Sequence, residues 1–365
     1  MANLLVTGGA GFIGSNFVRY WRDRHSSDRL VVLDALTYAG NLANLDGIEG
    51  IEFVHDDIRD TDLVRGLLVD RAIDTIVHFA AESHVDRSID GPDAFIDTNV
   101  IGTHSLLKAA KSAWLDQGSG QPHRFHHIST DEVYGSLGED DAAFAETTAY
   151  APNSPYSASK AASDHLVRAY HHTFGLEATT TNCSNNYGPY HFPEKLIPLF
   201  LINCLVGKSL PIYGDGMNVR DWLHVADHCR GIELVLEKGR PGETYNVGGG
   251  EELPNIRVVD AICSGVDEAF AADPSLADRF PDAPAARGSR SETLKTYVVD
   301  RLGHDRRYAI DETKIRSELG YAPARNFRDG LAETVAWYLA NEHWWRGVMD
   351  GSYREWIDRN YGAKR

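Results

Sequence analysis

Leu4-Leu5-Val6-Thr7-Gly8-Gly9-Ala10-Gly11-Phe12-Ile13-Gly14 lies close to the N-terminus. A short aliphatic run stops at a cluster of glycines, and helical spacing of apolar residues then continues to about Arg24. The cluster contains G-x-G-x-x-G at Gly9, Gly11 and Gly14. Small residues in such a turn let backbone approach a pyrophosphate, whose charge the N–H groups and dipole of the following helix can hold. A glycine triplet alone is weak evidence, because an ordinary tight turn would also use it. A tight turn explains neither the strand before it nor Asp34, which ends the second aliphatic run (Leu30 to Leu33) twenty residues past Gly14. A carboxylate there accepts from a ribose 2′-hydroxyl and repels a 2′-phosphate, so the expected cofactor is NAD rather than NADP.

Outward from this turn the pattern repeats. Ile51 to Val54, Ile73 to Phe79 and Phe125 to Ser129 are further aliphatic runs, with long helical segments at 95–115 and 156–174. Runs apolar at every position are buried on both faces, so helices must cover both sides of a parallel sheet. The expected fold is α/β, a doubly wound parallel Rossmann sheet with a smaller C-terminal α/β substrate domain. Punctuation changes near residue 180, where Pro189, Pro193, Pro198 and Pro211 crowd short elements. The expected division is an NAD-binding domain at 1–180, with a return segment near 218–248, and a mainly substrate-binding domain at 181–365. The Pro-, Gly- and Asp-rich stretch 270–296 reads as an exposed insertion or mobile loop, and Phe327 to Trp345 as one amphipathic helix.

Composition excludes several classes. Among 365 residues, 53 acids against 36 Lys and Arg leave −17 at pH 7, which opposes binding to nucleic acid or an anionic membrane. Cys183, Cys204, Cys229 and Cys263 form neither a C-x-x-C pair nor a regular framework, and read as reduced thiols of a cytoplasmic protein. No metal is expected. Met1-Ala2-Asn3-Leu4 carries no basic n-region, so no signal peptide is expected.

Two motifs carry the chemistry. Tyr156-Ser-Ala-Ser-Lys160 is a Y-x-x-x-K on an expected helix, where residues four apart share a face, so an ammonium can stabilise a phenolate and lower the tyrosine pKa. A surface Tyr and Lys would match it by chance. It follows, however, a strand ending in Ser129-Thr130, whose hydroxyl can bond the same substrate oxygen. Asp131 and Glu132 come next, in Ser129-Thr-Asp-Glu-Val-Tyr-Gly135. A lone acid pair is most often a solvated loop. Beside these neighbours it supplies what loss of water requires, one group to remove a proton and another to protonate the departing hydroxyl.

The glycine turn with Tyr156 and Lys160 resembles the extended short-chain dehydrogenase/reductase family. With Asp131-Glu132 the resemblance narrows to the dTDP-glucose 4,6-dehydratases. It extends through Asp34 to Asn41, Asp57-Ile58, Ala80 to Ser88, Asn182 to Pro189, Phe192 to Pro198, Pro211 to Tyr213, Asn218 to Trp222 and His304 to Tyr308. The resemblance implies that NAD touches Gly8, Gly11, Phe12, Ile13, Gly14, Asp34, Thr37, Asp57, Ile58, Ala80, Ala81, Thr98, Tyr156, Lys160 and Asn186. It implies a nucleotide-sugar site of Ser83, Thr130, Asn185, Lys195, Leu196, Pro211, Tyr213, Arg220, Asn255, Asp300 and His304. Physically, Lys195 and Arg220 offer cations to a diphosphate and Tyr213 a ring to a base, whereas Asn185 and Asn255 could equally cap turns.

Further implications are catalysis by Thr130, Asp131, Glu132, Tyr156 and Lys160, dehydration of the sugar in a route to rhamnose or another deoxysugar, and a homodimer joined through 95–115 and 156–174. The alternatives are a UDP- or CDP-sugar dehydratase and a 4-epimerase, against which Asp131 and Glu132 argue. From another class comes an NAD-binding sensor, which would be expected to lose Tyr156 or Lys160.

Overall fold

The computed structural model describes residues 2–116, 122–300 and 304–349. The first half of the chain runs β1 (Asn3–Thr7), α1 (Phe12–Arg24), β2 (Arg29–Asp34), β3 (Ile51–His55), α2 (Thr61–Asp70), β4 (Thr75–His78), α3 (Val85–Asp90), α4 (Asp93–Phe95), α5 (Thr103–Ala110), β5 (Arg124–Thr130), α6 (Pro155–Phe174) and β6 (Ala178–Cys183). The second runs β7 (Asn185–Tyr187), α7 (Leu196–Val206), β8 (Leu210–Tyr213), β9 (Val219–His224), α8 (Val225–Lys238), β10 (Thr244–Val247), β11 (Glu252–Pro254), α9 (Asn255–Ala272), α10 (Leu276–Arg279), β12 (Lys295–Val298), α11 (Thr313–Leu319), α12 (Phe327–Ala340) and α13 (Glu342–Val348).

Seven parallel strands form the main sheet, in the order β10-β6-β5-β4-β1-β2-β3. Successive strand residues point to opposite faces, and the two cores divide accordingly. Leu5, Val31, Leu33, Ile76 and Phe125 pack with Val64, Leu68, Leu106, Leu107 and Val167 of α2, α5 and α6. Leu4, Val6, Leu30, Val32 and Val77 pack with Phe17, Val18, Trp21, Cys229 and Ile232 of α1 and α8 on the other side. Each fully buried aliphatic side chain contributes about 1.5–3 kcal/mol, which is why continuous apolar strands demand two helical layers. The sheet is doubly wound, as its sequence pattern predicts. Strand order reverses between β1 and its neighbour β4, and ligands of open α/β sheets bind at the carboxyl ends beside such a reversal.

Residue 180 falls inside β6, and β10 closes the sheet from far along the chain. Smaller sheets, β11-β9-β7 and β12-β8, stand beyond it. A separate core joins α7, α9, α12 and α13.

Two sequence expectations need correction. The stretch 270–296 is not an exposed loop, because Leu276, Phe280, Ala283 and Ser291 are at most 3% exposed, and Phe280 packs against Phe270 and Trp345. Its prolines and glycines set turns between packed anchors. The helix expected over 327–345 breaks at Asn341, whose side chain donates to the Trp337 carbonyl (2.8 Å) and competes with the next helical turn. The segment 95–115 is helical as expected but underwound at two places, with π-turns at Ile96–Gly102 and Lys111–Asp116 flanking α5. Such bulges gather at functional sites, and this one carries Thr98 and Asn99. No helix among the described residues is long and apolar enough to cross a membrane.

Candidate active site

A cavity of about 350 Å³ opens at the carboxyl ends of β1, β2, β4 and β5. Gly8 leaves β1 at φ 68°, and a Cβ on Gly14 would stand 2.3 Å from the Gly8 carbonyl oxygen, so the turn closes only around glycine. No side chain caps α1 at Gly11, and Gly11, Phe12, Ile13 and Gly14 line the cavity, which leaves first-turn amides for phosphate oxygens. Asp34 closes the other end. Its oxygens accept from the amides of Ala10 (2.9 Å) and Leu36 (2.8 Å), which aims the carboxylate, while burial pushes its pKa up. These features fit a dinucleotide. Thr37, Asp57, Ile58, Ala80, Ala81, Thr98 and Asn186 line the same cavity. Asn99 pins its wall, accepting from the Glu82 amide (2.9 Å) and donating to Ser159 of α6 (2.8 Å).

The reacting groups converge where β5 ends. Ser154 caps α6 in a reciprocal capping box with Ser157 and Pro155 fills its first position, so the helix begins where Tyr156 must stand. Tyr156, Lys160, Thr130 and Glu132 line the cavity. The Thr130 hydroxyl donates to Asp131 Oδ1 (3.2 Å), while the Glu132 amide donates to it (3.3 Å).

Asp131 lies behind this row rather than in the cavity wall, 2% exposed, its Oδ2 without a hydrogen-bond partner. Burial, then the Glu132 and Asp221 charges, push the pKa of its carboxyl well above the usual range. Asp221 is itself buried, accepting from the amides of Gly249 and Glu251 (3.0 Å each).

The expectation that Lys160 lowers the Tyr156 pKa is not met. Burial and the nearby Glu132 charge hold the phenol well above its ordinary value, and Lys160 instead donates to the Ile128 carbonyl (2.7 Å), its own pKa brought down by burial to about 8. Asp164, one turn further along α6, is fixed by Ser129 Oγ (2.8 Å) and His127 Nε2 (3.0 Å) and offers Lys160 a buried opposite charge.

The residues expected for a nucleotide sugar divide in two. Ser83, Thr130, Asn185, Lys195 and Leu196 line the cavity. Lys195 caps the start of α7 and reaches the Ser83 carbonyl (3.1 Å), so a cation and a helix N-terminus meet at one place. Asn185 Oδ1 is buried without a partner, as is Asn255 Oδ1 at the start of α9.

Pro211, Tyr213, Arg220, Asn255, Asp300 and His304 do not line this cavity. They belong to elements beyond it. Pro211 and Tyr213 lie in β8, paired with β12, the Tyr213 ring sits edge-on to His304 (6.2 Å), and His304 Nδ1 bonds Asp300 (2.6 Å). Arg220 is 5% exposed, stacked on Tyr308 (4.2 Å) and donating to the carbonyls of Val219 (2.7 Å) and Asp305 (3.0 Å).

Sequence reasoning passed over Tyr38, Glu82 and Glu194, which also line the cavity. Arg87 lies over the Tyr38 ring (4.0 Å) and pairs with Glu194 (3.2 Å). Their signal was a polar side chain inside segments already singled out.

Comparison with known proteins decides the family. The GDP-mannose 4,6 dehydratase family model matches residues 5–334. A dTDP-glucose 4,6-dehydratase of Xanthomonas campestris pv. campestris (strain B100) is 58% identical over 359 residues, covering 97% of this chain and 98% of the relative. The chain belongs to this family of dehydratases. Another dTDP-glucose 4,6-dehydratase of the family, from Shigella flexneri, is 51% identical over 375 residues, 99% of each chain. The solved dTDP-glucose 4,6-dehydratase DesIV from Streptomyces venezuelae, with NAD and dTDP bound, superposes with a TM-score of 0.82 at 49% identity, covering 95% of this chain and 99% of that one.

Proposed function

We propose that the chain is an NAD-dependent dTDP-glucose 4,6-dehydratase, a hydro-lyase that converts dTDP-glucose to dTDP-4-keto-6-deoxyglucose and water. The observation that carries this reading is a buried Asp131 next to Glu132, bonded to Thr130 behind a cavity that Thr130, Glu132, Tyr156 and Lys160 line at the carboxyl edge of the sheet. A 4-epimerase has no use for that pair of acids.

Gly8, Gly11 to Gly14 and Asp34 hold the dinucleotide, with Thr37, Asp57, Ile58, Ala80, Ala81, Thr98 and Asn186 around it. NAD, when bound, supplies a hydride acceptor at C4 that gives the hydride back at C6, and a positive ring that favours the Tyr156 phenolate. Tyr156 takes the C4 hydroxyl proton while Thr130 bonds that oxygen. The resulting 4-ketone acidifies the C5 hydrogen, because the carbanion is an enolate. Glu132 removes the C5 proton and Asp131 protonates the C6 hydroxyl, so water leaves and an enone remains; C5 is reprotonated after C6 is reduced.

The strands and helices up to β6, with α8 and β10, serve NAD, and the rest holds the nucleotide sugar. Lys195 at the start of α7 serves the diphosphate. Arg220, Tyr213, Asn255, Asp300 and His304 act at the nucleotide end, beyond the cavity that holds NAD. Exposed Ile96, Ile101 and Phe174, on the helices at 95–115 and 156–174, support pairing of two copies through them. Four buried free cysteines support a reducing, cytoplasmic setting, with a product that serves synthesis of rhamnose or another deoxysugar.

Initial rates with dTDP-glucose and UDP-glucose in competition test the reading. It requires a 4-keto-6-deoxy product formed faster from the thymidine sugar and no steady NADH absorbance. A galactose product would sink it.

A further inference from the structure

Outside the cavity, on the helical layer formed by α1 and α8, three ligating side chains come together. His25 closes α1, and Glu233 and Glu237 stand one turn apart on α8. One ligating atom from each lies within 4.8 Å of the other two, and no other such group occurs among the described residues. His25 Nε2 is 2.8 Å from Glu233 Oε1, across 208 residues of sequence, so no motif announces the cluster.

We infer that His25, Glu233 and Glu237 bind one divalent transition-metal ion, with zinc the best fit, which clips the end of α1 to α8. One imidazole nitrogen and two carboxylate oxygens suit zinc, with water in the fourth position on the exposed side of Glu237. Around tetrahedral zinc, with bonds of about 2.0–2.1 Å, ligand atoms stand roughly 3.3 Å apart. His25 Nε2 and Glu233 Oε1 must therefore part by about half an ångström from their 2.8 Å, and exposed Glu237 closes the remaining gap by turning its side chain. The ion takes the lone pair of Nε2, with the ring proton on Nδ1. A doubly charged cation and two carboxylates are neutral together.

Neighbouring side chains orient two of the ligands as a metal site requires. The Tyr20 hydroxyl donates to the other oxygen of Glu233, Oε2 (2.5 Å), which leaves Oε1 to face the ion. Trp21 stacks on the His25 ring, 4.1 Å between centroids and 24° between planes, and fixes its plane. An ion pair between His25 and Glu233 has no use for Glu237, whose charge four residues on repels Glu233 along the helix. An ion shared by both carboxylates removes that repulsion. Its place makes the role structural, since α1 is 13 residues or about 20 Å long and its opposite end is the phosphate cradle. The clip holds that helix to its layer without touching the reacting groups.

Calorimetric titration of the full-length, NAD-loaded protein with zinc ion tests the site. One zinc per chain should bind, and a hundredfold excess over Kd should raise Tm by roughly 4 °C. His25→Gln and Glu237→Gln should each abolish that binding. Tyr20→Phe, which releases the Glu233 carboxylate, should weaken it about 10–100-fold. Glu237 is exposed, so its variant keeps the fold even where His25→Gln does not. Absence of binding to the wild-type protein, or binding that survives either glutamine variant, overturns the site and leaves His25 and Glu233 an ion pair.

Two measurements on the unaltered protein identify the donor atoms. Cobalt(II) in place of zinc should give the weak visible absorption of nitrogen and oxygen ligation. A sulfur-to-metal charge-transfer band in the near ultraviolet would instead put the ion on one of the four cysteines and overturn the site. Magnesium at an equal concentration should not displace the zinc, because it takes oxygen ligands and keeps its water. Displacement would show that the His25 nitrogen is not a ligand, and would overturn the site as well.

Discussion

Replacing Asp131 by Asn should stabilise the protein while disabling elimination. Asp131 has an ordinary value of 3.8 and is pushed well above it, first by burial and then by Glu132 and Asp221. A group whose pKa is raised in the folded state costs stability as pH climbs past its unfolded value. The cost is absent below pH about 4 and grows until the folded pKa is reached. A carboxyl whose folded pKa is raised takes up a proton on folding at any pH between the two values, and each pH unit climbed above the unfolded value adds about 1.4 kcal/mol to the cost. Asparagine avoids that term, keeps the bond from Thr130, and still leaves an amide N–H without a partner, worth about 1–3 kcal/mol. Asparagine therefore gains on the acid by about 1.4 kcal/mol, or roughly 2 °C in Tm, for each pH unit climbed up to the folded pKa.

The assay is thermal unfolding of both proteins from pH 4 to 8 at fixed NAD, with absorbance at the NADH band during reaction. The Tm difference should open as pH rises. The variant should oxidise C4 and accumulate NADH, and its product should form about 10²–10⁴ times more slowly. A variant no more stable than wild type at pH 8, or one that eliminates at the wild-type rate, refutes the assignment of Asp131 as a protonated acid.

Three further outcomes are expected. Gly14→Ala sets a Cβ 2.3 Å from the Gly8 carbonyl oxygen and should abolish NAD binding by calorimetry, whereas Gly66→Ala, with open space around it, should leave binding intact. Phe280→Ala should cost about 3–5 kcal/mol in denaturant unfolding, because that ring is 2% exposed; a surface loop would lose under 0.5. Ile101→Glu, at a side chain 50% exposed, should halve the particle mass in sedimentation if 95–115 forms the pairing face, and an unchanged dimer would exclude that face.

The local signals in the sequence were those with one structural solution. Strands apolar at every position required two covering layers, and G-x-G-x-x-G before a helix required a phosphate cradle. The acid pair after Thr130 required burial to act as acid and base, and Asp131 is buried. Long-range consequences were illegible. Nothing in Pro274 to Thr296 announces that Phe280 meets Phe270 and Trp345, since a lone aromatic among prolines has no period. The Y-x-x-x-K spacing placed Tyr156 and Lys160 on one face but could not reveal that the ammonium reaches back to the Ile128 carbonyl. Arg220 looked like a free cation, and only the fold brings Tyr308 and the Asp305 carbonyl against it.

The central claim, that one site oxidises C4 and then removes the C5 proton and the C6 hydroxyl, is tested most directly by turnover of dTDP-glucose in deuterated water with wild type and Glu132→Gln side by side. Wild type should give a 4-keto-6-deoxy product carrying one solvent deuterium at C5, and Glu132→Gln should oxidise C4 but release that product about 10²–10⁴ times more slowly. A product unlabelled at C5, or elimination by Glu132→Gln at the wild-type rate, would contradict it.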